Sequence, residues 1–206
     1  MLKRYFLPAA AVCALGCDGI GGTSPPFAEI GTPDGHGSPS SDIVVVEAFW
    51  YGCPHCYEIE PQIQRWTGSF AADTTFVRLP VTWNEIARLH ARGYYAAVLL
   101  GVADRAHPEM FREIHVRNAR VDDEAALVEL FGRFGVTESA ALAALHSAEV
   151  DERLSRADEL MRSYEIEVVP SLVVNGRFRS DTRMAGGQKD LIQVMDRLIG
   201  HVRSGQ

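Results

Sequence analysis

The chain has 206 residues, 47% of them hydrophobic and 23% charged, with a formal net charge of −7. That length can bury one good core, with room for an inserted subdomain. An acidic chain without a Lys/Arg cluster points away from nucleic acid, and no segment after the leader approaches the length of a transmembrane span.

The first element is a leader. Lys3 and Arg4 are followed by a mostly apolar run from Tyr5 to Leu15, too short to cross a membrane, so residues 1–16 read as an export signal. The run ends in Ala14-Leu15-Gly16-Cys17, which resembles the lipobox of bacterial lipoproteins and makes Cys17 the candidate lipid-bearing N-terminus. Ordinary signal peptidase would accept Ala14-x-Gly16 at the same bond. Either way the expected compartment is the periplasm, with anchoring to the membrane in the first case. Residues 17–42 are rich in Gly, Ser and Pro and read as a flexible tether. Within them Phe27-Ala28-Glu29-Ile30 fits a short edge strand, and His36 reads as solvated.

The apolar run Ile43 to Gly52 predicts a buried strand that delivers Cys53-Pro54-His55-Cys56 to a strand-to-helix turn. Pro54 suits the first helical position because its missing N–H would go unused there. Cys53 then falls at the N-cap, where unpaired N–H groups and the helix dipole favour a thiolate. His55 can add a charge or a donor beside the same sulfur. A stabilised thiolate is a stabilised reduced state, so the Cys53–Cys56 disulfide should be an oxidant. The plain alternatives are a zinc site or an inert bridge. Zinc needs about four ligands; the other cysteines, Cys13 and Cys17, lie at the leader and no His-x3–5-His pair occurs, so no metal is expected.

Beyond the motif, Tyr57, Ile63, Trp66 and Phe70 continue an apolar helix face, which Pro61 should kink. Thr74 to Leu79 predicts the next strand. From Asn84 to about Tyr164 the pattern is helical throughout, with Asp122 and Thr137 as N-caps. Strand character returns from Val168, Asn175-Gly176 signals a hairpin, and Leu191, Val194, Met195, Leu198 and Ile199 give a closing amphipathic helix. The histidines at 90, 107, 115, 146 and 201 show no ligand spacing and read as structural or surface residues. Glu47, the one charge in its strand, lies six positions before Cys53; the pattern alone leaves its direction open, and Arg78 is a candidate partner.

Phe49-Trp50-Tyr51-Gly52-Cys53-Pro54-His55-Cys56 resembles the active-site segment of the DsbA-type thiol:disulfide oxidoreductases. Val168-Val169-Pro170-Ser171 and the hairpin after it are similar to that family's cis-proline loop, and the likeness spans about Ile43 to Val202. The resemblance implies an α/β thioredoxin fold with an inserted helical subdomain: residues 43–82 and 165–206 form the thioredoxin-like part and 83–164 the insertion. The related kappa-class glutathione transferases share this order but generally lack the cysteine pair. As catalytic residues it implies Cys53, Cys56, His55, Pro54 and Glu47, the last as a buried acid that perturbs the thiols; pairing with Arg78 is the plainer reading of Glu47. As substrate-contacting residues it implies Val169, Pro170, Trp50 and Tyr51, with a cis bond before Pro170. The redox disulfide would be the sole cofactor. Partners would be reduced or unfolded exported proteins and a DsbB-like, quinone-linked membrane oxidase, and the protein is expected to be a monomer. The alternatives are a disulfide reductase or isomerase of the same fold, the latter disfavoured because no dimerisation domain precedes the motif, and a tethered peptide-binding chaperone module.

Overall fold

A computed structural model describes residues 25–31 and 42–205. The elements run β1 (Ala28–Glu29), β2 (Ile43–Phe49), α1 (Pro54–Thr67), β3 (Thr74–Pro80), then five helices: α2 (Glu85–Leu99), α3 (Ala103–His115), α4 (Glu124–Gly132), α5 (Glu138–Leu145) and α6 (Ala148–Ser163). The chain closes with β4 (Ser171–Val174), β5 (Phe178–Asp181), α7 (Thr182–Ala185) and α8 (Gln188–Arg203). One five-stranded sheet forms in the order β1-β5-β4-β2-β3, with β2 and β3 parallel and the other pairs antiparallel.

β2 is a nearly unbroken apolar run because it has a strand on each side and helices over both faces. Alternation splits its side chains between two cores. Ile43 and Val45 join Leu172 and Val174 of β4 beneath α1 and α8, whereas Val46 and Ala48 join Val173 beneath the helices of the α2–α6 run. The Trp66 indole N–H donates to Asp196 at 2.7 Å, pinning α1 to α8.

Several boundaries differ from the sequence reading. β2 ends at Phe49, because residues 50–53 are needed for the turn that presents Cys53. Strand pairing resumes at Ser171 rather than Val168, since the preceding residues form the loop that approaches Cys53. Asp123, not Asp122, caps α4 by accepting from the Ala126 N–H, while Asp122 pairs with Arg120. The Thr137 cap forms as expected. α1 runs through Pro61 as one helix, and α7 is an element that the sequence pattern did not reveal. Phe27–Ile30 does yield an edge strand, antiparallel to β5. Among the described residues no helix is long and apolar enough to cross a membrane. The leader with Cys17, most of the tether and His36 lie outside the described residues.

Candidate active site

Residues 50–53 form a turn closed by the Cys53 N–H donating to the Trp50 carbonyl at 3.0 Å. Gly52 is required there: a Cβ would lie 2.4 Å from a ring carbon of Trp50. Cys53 is extended (φ −89°, ψ 117°) and N-caps α1, with Pro54 as the first helical residue. Its carbonyl accepts the N–H groups of Cys56 and Tyr57 at 3.1 and 3.2 Å, starting the helix.

Both cysteines are free thiols; Cys53 is 9% exposed and Cys56 fully buried. Their acidities diverge. A hydrogen bond from the Cys56 thiol, and further ones from the backbone N–H groups of Cys56 and His55, lower Cys53 from about 9 to about 6 against an opposing effect of burial; the His55 ring adds to the lowering. Burial, the hydrogen bond to Cys53 and the negative charge on that sulfur push Cys56 upward. His55 is exposed and 3.2 Å from Glu58. On the other side, the Val169–Pro170 bond is cis, and the Val169 carbonyl accepts from the Cys53 thiol at 3.6 Å.

Beneath the pair lies a buried charged cluster. Glu47 of β2 faces Arg78, its register partner in β3, with Oε2 3.5 Å from Arg78 Nε. Arg78 also donates to Glu60 of α1 at 2.7 Å. Burial first, then the charge of Glu60, raise Glu47 to about 8 despite Arg78, so it is largely protonated at neutral pH. Burial works against the ionised Glu60 too, but His107, Arg78 and Gln64 outweigh it and hold that carboxyl below its ordinary value. Glu47 thus lies beside Arg78, and in its ionised form its charge is among the influences that raise Cys56.

Tyr51, expected to contact substrate, does not line that surface. It is 3% exposed, and its hydroxyl donates to His107 Nδ1 at 2.8 Å. Its ring packs instead among those of Phe49, His107 and Phe111. Trp50 is half-buried, with its ring 6.4 Å from that of His90.

The histidines at 90, 107 and 115 turn out to surround this segment. His107 Nε2 lies 3.3 Å from Glu60, and burial keeps the imidazole neutral by lowering its pKa. His90 donates to the Val121 carbonyl at 2.8 Å. His115 Nε2 donates to the Tyr51 carbonyl at 2.7 Å, and its ring stacks on Tyr57 at 4.9 Å. His107, Phe111 and His115 are spaced four apart on α3, a single-face stripe that was present in the sequence but carried no ligand pattern. By contrast, His146 pairs with Glu124 on the surface.

Two thiols of opposite acidity at a helix N-terminus, one reachable and one enclosed, can accept a disulfide at one sulfur and resolve it at the other. Comparisons with known proteins agree. The DSBA-like thioredoxin domain family matches residues 69–198. The thiol:disulfide interchange protein DsbA of Azotobacter vinelandii is 36% identical over 164 residues, covering 80% of this chain and 77% of that protein. The crystal structure of Pseudomonas aeruginosa DsbA superposes with a TM-score of 0.82 at 31% identity, covering 88% of this chain and 94% of the other. For the oxidoreductase DsbA from Xylella fastidiosa the TM-score is 0.80 at 30% identity, with 87% and 96% covered.

Proposed function

The chain belongs to the DsbA family and is a thiol:disulfide oxidoreductase of thioredoxin-like fold; from that premise we propose that it oxidises reduced exported proteins, with Cys53 as the sulfur they attack. The observation that carries this is the contrast between Cys53, lowered to about 6 at the N-cap, and the enclosed Cys56, which is raised.

A substrate thiolate attacks Cys53 Sγ in the Cys53–Cys56 disulfide. The S–S bond breaks, its electron pair passes to Cys56 Sγ, and a new bond joins substrate to Cys53. Cys56 takes up a proton, for which the neutral carboxyl of Glu47 would be the donor, itself reprotonated from solvent. A second substrate thiolate then attacks the substrate sulfur of the mixed disulfide, and the electron pair returns to Cys53, a good leaving group because its thiolate is stabilised. The substrate loses two electrons and two protons; the enzyme keeps both electrons and, near neutral pH, one proton on Cys56.

Pro54 sets the helix start that serves Cys53, and His55 supplies further stabilisation. The Val169 backbone, whose carbonyl lies beside Cys53, would offer an extended substrate strand its N–H and C=O, and Pro170 and Trp50 are the further residues assigned to substrate contact. Reoxidation would fall to a DsbB-like membrane oxidase, and the working compartment would be the periplasm. Lipidation at Cys17, supported by the sequence at 14–17, would keep the enzyme near such a partner; the mass of the amino-terminal peptide from the membrane fraction reads it directly.

The test uses a reduced peptide dithiol with the oxidised wild type, and a disulfide-linked peptide dimer with the reduced Cys56→Ser and Cys53→Ser variants. Wild type should oxidise the dithiol; in Cys56→Ser the Cys53 thiolate should attack the dimer, keep one peptide as a mixed disulfide and release the other as a thiol, while Cys53→Ser should be inert. Peptide captured faster at Cys56 of Cys53→Ser than at Cys53 of Cys56→Ser would contradict the assignment.

A further inference from the structure

Tyr51 and Gly52 are the two central residues of the turn closed by Cys53 N–H and Trp50 C=O. Such a turn has two common forms, which differ by a flip of the central peptide, and the second needs a positive φ at its third residue. Glycine accepts either, so the sequence leaves the choice open. Gly52 is not among the residues of positive φ, so the chain adopts the first form.

One contact from outside the turn acts on the central peptide itself. His115 Nε2, on the last turn of α3, donates to the Tyr51 carbonyl at 2.7 Å. The imidazole is held in place by stacking on Tyr57, at an interplanar angle of 10°. Tyr57 follows Cys56 in α1, and its N–H bonds to the Cys53 carbonyl. Eight residues earlier on the same helix, His107 takes the Tyr51 hydroxyl. The helix therefore grips Tyr51 at its side chain and, through His115, at the peptide bond leading to Cys53.

We propose that His115 is a positioning residue for disulfide exchange: its Nε2–H locks the Tyr51–Gly52 peptide in one orientation and so fixes Cys53 at the N-terminus of α1. The inference rests on the reading of Cys53 as the attacked sulfur. Without the lock, the carbonyl that now points to α3 can turn to the opposite side of the turn, and Cys53 no longer stays aligned with the N–H groups that stabilise its thiolate. Loss of the hydrogen bond should thus make Cys53 a weaker leaving group as well as a less ordered target.

Two variants separate the hydrogen bond from the ring. His115→Phe keeps a ring to stack on Tyr57 and removes the donor; His115→Gln removes the ring and keeps an N–H of similar reach. The ultraviolet absorbance of the Cys53 thiolate is followed against pH, and peptide-dithiol oxidation is timed in parallel. Expected for His115→Phe is a midpoint raised by roughly half a unit to one unit, with oxidation slowed roughly three- to tenfold. His115→Gln should restore most of both. If His115→Phe fails to fold, His115→Asn takes its place, because the shorter amide cannot reach the carbonyl. A donor-free variant with the wild-type midpoint and rate overturns the proposal, as does a Gln variant no better than the donor-free one, which would leave only charge or bulk. A wild-type Cys53 that titrates near an ordinary thiol overturns this proposal and the functional reading together; the former two outcomes leave the functional reading intact.

Discussion

Glu47 is buried in the middle of an apolar strand; its carboxyl lies 3.5 Å from Arg78 Nε, and its oxygens have no hydrogen bond among the described residues. An acid raised from 4.5 to about 8 binds a proton in the folded state that the unfolded chain releases. Folded protein then holds more protons than unfolded protein between those two values, and stability falls as pH rises through that window. Replacing Glu47 by Gln removes this dependence. The Glu47→Gln variant should gain stability relative to wild type as pH rises, by on the order of 2 kcal/mol between pH 5 and pH 7. Denaturant titrations at the two pH values check it, and a difference that stays flat with pH would show Glu47 already ionised at pH 5 in the folded protein. The position of this acid was legible in the sequence, and so was its partner. What the pattern could not supply was its direction, because period-two alternation placed it with Phe49 and Tyr51 without saying which face α1 would cover.

At the scale of elements, what was legible followed local rules. The Cys53 cap, Pro54 at the helix start, the Thr137 cap and the hairpin at Asn175-Gly176 each depend on a few adjacent residues. Errors arose where tertiary partners decide. Two adjacent aspartates competed for one cap, and Arg120 took Asp122 while Asp123 bonded Ala126. The role of α3 was invisible for the same reason: His107 and His115 have no spacing that marks a ligand, and their targets lie 56 and 64 residues away in sequence. The link from α3 to the redox segment is open to a direct measurement. Tyr51→Phe deletes the hydroxyl and leaves His107 Nδ1 buried without a donor, and should cost about 1–2 kcal/mol in denaturant unfolding. A loss below a few tenths of a kcal/mol would mean that water replaces the hydroxyl and that α3 does not depend on it.

For the whole molecule, the fold holds a sheet between two cores and places the dithiol at the end of the interior strand β2, where α1 begins. Fold and chemistry are therefore linked: whatever stabilises the Cys53 thiolate stabilises the reduced protein as a whole. Cys53 is lowered from about 9 to about 6 on folding. Such a depressed value contributes stability that is full above the unfolded thiol pKa and is lost as pH falls through the folded one. Near pH 7 it amounts to ~1 kcal/mol, growing toward pH 9. Cys56 is pushed the other way and titrates only above that window. The oxidised protein has no thiolate and gains none of this. A disulfide ordinarily stabilises its protein, by about 2 kcal/mol for a loop as short as this one; the thiolate contribution opposes it and overtakes it only as pH rises toward 8.5. Thermal melts of the oxidised and reduced forms across pH 5 to 8.5 are the decisive measurement. The reduced form should gain on the oxidised form as pH rises, melt higher by pH 8.5 and lose its advantage below pH 6. A disulfide form that melts higher throughout, with a gap that does not change with pH, would contradict a depressed Cys53.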